Sequence, residues 1–82
     1  MTKEEIAQIP DLQITVTPAI EDAFHFLYGL EKKEEDITEA QLRCGQRLQK
    51  EYTKEERLEA IHYAYMMLDN IDKYGIPCAS WT

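Results

Sequence analysis

The sequence predicts an all-α fold, a small three-helix bundle with an N-terminal arm, on three observations. First, Thr53 to Gly75 carries both ends of a helix: Thr53 with Glu56 forms a capping box, Gly75 can turn left-handed, and Pro77 stops the helix from resuming. Second, Thr17-Pro18 opens a stretch in which Ile20, Ala23, Phe24, Phe26, Leu27 and Leu30 recur at helical spacing. Third, only Leu12, Ile14 and Val16 alternate with polar neighbours at the period of a strand, and a lone strand cannot satisfy its own ladder.

The arm covers residues 1–17. Thr2-Lys-Glu-Glu5 resembles a capping box and predicts one short helix or turn to about Gln8, ended by Pro10. The 11–17 segment is then extended. It either lies over the helices or pairs with another chain.

The helical core covers residues 18–75. Its first helix begins at Pro18 and is expected to stop near Gly29, because Glu31 would fall inside the apolar arc. A left-handed Gly29 would let Leu30 fold back on Phe24. Glu21, Asp22 and His25 form the opposite face. After the charged connector Glu31–Asp36, either Asp36 with Glu39 or Thr38 with Gln41 caps a second helix running to about Glu51. Ile37, Cys44, Leu48 and Tyr52 give that helix a narrow apolar stripe, with Gly45 beside it allowing a close neighbour. In the last helix Leu58, Ile61, Ala64, Tyr65, Met67, Leu68, Ile71 and Tyr74 share one side of the wheel. That face is wide enough to need two partner elements. The three core helices are expected to run to about 12, 14 and 21 residues. The tail, 76–82, ends in Trp81-Thr82.

The 82 residues read as a single domain, small enough to bury only about 60–65% of the extended surface. Oligomerisation, including a homodimer, is a natural supplement to so thin a core. Leu, Ile, Val and Phe number 18, and five tyrosines and a tryptophan add bulk that a disordered chain lacks. Residues 1–36 hold nine acids against three lysines, a balance of −6, whereas 37–82 hold seven acids against six bases. Such a chain is repelled by nucleic acid and by anionic membranes unless a basic patch overrides the average.

Cys44 and Cys78 are too few for a disulfide framework and lack metal-site spacing. Cys44 on an apolar stripe is a small hydrophobe rather than a thiolate, whereas Cys78 in the tail is expected to be accessible. A charged start without a secretory leader pattern, and no run of 18 apolar residues, make the cytoplasm the expected compartment. The three glycines are scattered, so no phosphate loop is present, and neither histidine has a ligand or triad spacing. No enzyme, cofactor or metal site is expected.

The charged side chains carry the functional reading. Glu21, Asp22, Glu31, Glu34 and Glu35 are candidates for a rigid acidic surface that imitates phosphates and occupies a basic, nucleic-acid-handling groove. Small acidic inhibitors of phages and mobile elements resemble this composition. Tyr63 and Met66, on the polar side of the last helix, and Trp81 in the tail are candidate apolar anchors. The alternative is a structural subunit that self-associates through the arm and tail. A third possibility is nucleic-acid contact through Arg43, Arg47 and Lys50, extended by Lys54. Glu39 and Glu51 interleave that row, as on an ordinary salt-bridged helix.

Overall fold

The computed structural model describes residues 2–31 and 39–79, the side chains of 29–31 and 40 apart. Its elements are α1 (Lys3–Ala7), a 3₁₀ turn (Pro10–Leu12), α2 (Pro18–Glu31), α3 (Glu39–Lys50) and α4 (Lys54–Tyr74). The all-α bundle is as expected, and no strand occurs among the described residues. Glu34, Glu35, Ile37 and Trp81 lie outside them, as do the alternative caps at Asp36 and Thr38 and the Leu30 contact with Phe24.

Helix α1 is short, and Thr2 Oγ1 accepts from the Glu5 backbone N–H at 3.2 Å. Beyond its far end the Gln13 side-chain amide donates to the carbonyls of Ile6 (2.9 Å) and Ile9 (3.2 Å), each of which also accepts a backbone N–H, from Ile9 and Leu12 respectively. Gln13 itself has φ −86° and ψ 65°, and the Ile14 N–H donates to the Leu12 carbonyl at 3.0 Å. That is an inverse γ-turn. The alternation read in 11–17 is therefore real as a burial pattern without being a strand: Leu12 and Ile14 are buried and Val16 packs against the core.

Thr17 caps α2, its hydroxyl accepting from the Ile20 N–H at 3.3 Å. The helix does not stop near Gly29 but continues to Glu31. It is the hub of the fold. Both α3 and α4 pack on α2, and among the described residues they scarcely meet each other. Ala19, Ala23, Ala60 and Ala64 all belong to the single core cluster, where small side chains let helix axes approach closely. Gly45 does the same for α3: a Cβ there would lie 3.0 Å from two ring carbons of Phe26.

The capping box of α4 is complete. Glu56 N–H donates to Thr53 Oγ1 (3.2 Å) and Thr53 N–H to Glu56 Oε1 (3.1 Å). Gly75, at φ 81°, closes the other end by donating to the Ile71 carbonyl at 2.9 Å. The face that α4 buries differs from the one expected. Ala60, Ala64, Met67, Leu68 and Asn70 are buried, whereas Leu58 and Tyr65 are each 56% exposed. Tyr63 and Met66, expected on the open side, are half-buried against the core.

The cause is the chain's two ends, which lie on that side of α4. Asn70 Nδ2 donates to the carbonyls of Asp11 and Pro77, both at 2.9 Å. Tyr74 Oη donates to Asp11 Oδ2 at 3.2 Å, and the Ala79 N–H to the Leu12 carbonyl at 2.7 Å. Cys78 is consequently fully buried, not accessible as expected.

Asn70→Ala should cost about 1–3 kcal/mol, because two carbonyls lose their donor. For a domain of this size the thermal midpoint should fall by roughly 4–8 °C per kcal/mol. The Cys78 thiol should also become reactive toward a disulfide reagent. An unchanged midpoint with an unreactive thiol would show that the ends hold without the amide.

Candidate functional site

The expected acidic face does not assemble as drawn. Glu21 is exposed, with its carboxylate 3.8 Å from His25 Nε2 one turn on. Asp22, by contrast, points inward against α3, its side chain only 10% exposed. Arg47 Nη2 donates to Asp22 Oδ1 at 2.8 Å, and Nε reaches both carboxylate oxygens at 3.3 Å. The wheel placed Asp22 opposite the apolar arc of α2, but α3 packs on that flank and supplies the matching guanidinium. Asp22 thus leaves the candidate partner surface and becomes part of the core's polar seam. Of the other candidates, Glu31 is placed only by its backbone.

Cys44 and Tyr52 complete the seam. Arg47 Nη2 also approaches Cys44 Sγ at 3.4 Å. Burial pushes the Cys44 thiol above its ordinary range, and the Asp22 charge pushes it further. Desolvation and then Asp22 raise the Tyr52 phenol likewise. The hydrogen bond that Arg47 donates to Asp22, and then the Asp22 charge, hold the guanidinium more firmly protonated than usual. A thiol pushed upward is the opposite of an activated nucleophile, and the Asp22–Arg47 pair joins α2 to α3 as a clamp. Among the described residues no buried side-chain nitrogen or oxygen lacks a partner.

The basic row of α3 is reduced in the same way. Arg47 is committed to Asp22, and Arg43 Nη2 lies 3.4 Å from Glu39 Oε2 at the surface. Lys50 and Lys54 remain exposed. Arg43, Gln46, Arg47, Lys50 and Glu51 line a shallow depression of about 180 Å³, an interleaved rather than a purely cationic surface. Among the described residues no group of three His, Cys, Asp or Glu side chains could hold a metal ion, and no described helix is long and apolar enough to cross a membrane.

What sequence reasoning missed is an apolar groove between α3 and α4, floored by α2. It holds about 360 Å³ and is lined by Phe26, Leu27, Leu42, Gly45, Leu48 and Ile61, with Arg57 among the polar residues at its edge. It exists because α3 and α4 each pack on α2 without closing on one another. Leu42, 48% exposed, was the available signal: it is an apolar residue that the stripe of Cys44 and Leu48 leaves unexplained.

No protein-family model, curated protein or solved structure matches this chain. The surfaces therefore have to be read from their own chemistry.

Two stability measurements follow from the clamp. Arg47→Met should lower the urea midpoint more than Asp22→Asn, since it leaves a buried carboxylate without its cation, whereas the half-exposed Arg47 can turn to water. The second concerns alkali. Because the thiol and the phenol are raised in the folded chain, the unfolded chain ionises first, and stability should fall as pH climbs above about 9. Asp22→Asn removes one of the causes at both groups, so urea midpoints taken across that range should decline less steeply in the variant.

Proposed function

We propose that this chain is a non-enzymatic acidic protein-binding module, an inhibitor or regulator that covers a basic, nucleic-acid-handling surface of a partner protein. Its type is that of the anti-defence proteins of phages and mobile elements, anti-CRISPR proteins among them, and its working compartment is the cytoplasm. The observation that carries the reading is the fixed acidic N-terminal part of the fold. Glu4, Glu5, Asp11 and Glu21 are exposed there, and Lys3 is the sole lysine or arginine among residues 2–31. These carboxylates do not ride on a loose arm, because Asn70 and Tyr74 fasten Asp11 to α4. A rigid set of carboxylates loses little entropy on binding and steers a cationic partner from a distance. Glu31, Glu34 and Glu35 follow in the chain and add to the same charge.

The other candidate surfaces have less to offer a partner. The arm and tail turn Leu12, Ile14 and Cys78 inward, so those residues are committed within one chain. On α3, two of the three row cations already have carboxylate partners.

The test is affinity capture from source lysate, split into nuclease-treated and untreated halves and eluted with salt. A basic nucleic-acid-binding protein should be retained in both halves and released by moderate salt. Reversing Glu4, Glu5 and Glu21 to lysine should weaken that capture by at least about tenfold at unchanged helicity. Asp22 is left intact because its reversal would break the clamp. Capture that survives the triple reversal unchanged would overturn the proposal.

A further inference from the structure

The outward side of α4 carries one stripe that is charged in opposite senses at its two ends, with exposed Glu55 and Glu59 beside its start and Lys73 beside its end. Lys54 and Arg57 stand at the start, Leu58, Ile61 and Tyr65 in the middle, and Asp69 and Asp72 toward the end. Lys54, Leu58, Tyr65, Asp69 and Asp72 are exposed, and Arg57 and Ile61 half-buried. Among the described residues none of the four charged side chains takes part in an ion pair within the chain. Leu58 and Tyr65, each 56% exposed, are the largest departures from burial on this helix.

A stripe that is basic, then apolar, then acidic is complementary to its own reverse. We infer that α4 pairs antiparallel with α4 of a second copy of this chain. A two-fold axis level with Tyr63 brings Lys54 opposite Asp72, Arg57 level with Asp69, and Ile61 opposite Tyr65. The Lys54–Asp72 match then occurs at both ends by a single operation, which is the isologous arrangement of most dimers. The stripe from Lys54 to Asp72 is about 27 Å long at 1.5 Å per residue, enough for five turns of contact at the usual interhelical distance. The groove opens beside Ile61, so the partner's Tyr65 meets apolar surface there rather than water.

A foreign helix would need only to match this stripe, whereas the stripe's palindromic charge is what a copy of itself requires. The surface is distinct from the acidic N-terminal part, so the inference does not rest on the partner proposed above. A dimer would present that acidic part twice and add avidity. One helix pair buries less than the roughly 800 Å² per partner of a standard interface, so the dimer is of the weak, salt-sensitive class.

The experiment is sedimentation equilibrium of the full chain and of two charge-swapped variants. At about 100 µM and low salt the wild type should sediment as a dimer of its 9.6 kDa chain and dissociate on dilution or added salt. K54D/R57D and D69K/D72K should each dimerise at least about tenfold more weakly alone, at unchanged circular dichroism. Mixed in equal amounts, they should recover the dimer, since each end again meets its opposite. Both variants remain net acidic, so recovery cannot come from gross attraction of unlike proteins. Tyr65→Ser provides a variant without charge change and should also weaken the dimer about tenfold. A wild type that stays monomeric under these conditions overturns the inference. So does dimerisation unchanged in either swapped variant, or a mixture that fails to recover.

Discussion

Asn70 holds the two ends of the chain on one helix, and much of the rest of the fold depends on that. Its side-chain amide has two donors, and both are used, one on the Asp11 carbonyl and one on the Pro77 carbonyl. An amide buried without partners would destabilise so small a domain, and carbonyls buried without donors would do the same. With both satisfied, arm and tail cover the side of α4 that carries Tyr63 and Met66. The buried face of α4 turns toward them, and Leu58 and Tyr65 are left in water on the far side. The exposed apolar surface of α4 thus lies on the side away from this polar contact.

A second constraint acts through α2. A helix that serves as the common support of two others must be apolar on more than one side, yet α2 carries Asp22 on the flank that meets α3. The carboxylate is tolerated because Arg47 arrives with a fork of donors, and because Cys44 beside it is small and polarizable. The pairing takes one carboxylate off the outer surface and neutralises a half-exposed guanidinium. The net charge of −7 is untouched, but the way it is distributed changes. The N-terminal elements keep an almost unopposed set of acids, whereas on α3 Arg43 and Arg47 are neutralised by carboxylates.

These two features separate the molecule into surfaces with different capacities. The arm and the start of α2 present fixed carboxylates suited to a basic protein. The outward side of α4 presents apolar side chains between opposite charges, suited to a self-complementary contact. The groove between α3 and α4 follows from using one helix as the support for two others in a short chain.

By itself the sequence determined what local chemistry decides. The capping box at Thr53 and Glu56, the stop at Gly75, the start at Thr17-Pro18 and the close approach at Gly45 were all legible, because each depends on residues within a few positions or on a missing Cβ. The burial of Leu12 and Ile14 was legible as an alternation, although the backbone that realises it is a 3₁₀ turn and a γ-turn rather than a strand. Only the tertiary structure decided which side of α4 faces inward, that Asp22 is internal, that Cys78 is buried, and that an open groove lies between α3 and α4. A helical wheel ranks residues by their own polarity. It cannot register that an asparagine finds two carbonyls, 59 and 7 residues away, or that an aspartate meets an arginine 25 residues on. Those partners exist only once the helices have packed, and each reverses the cost of burying a polar group.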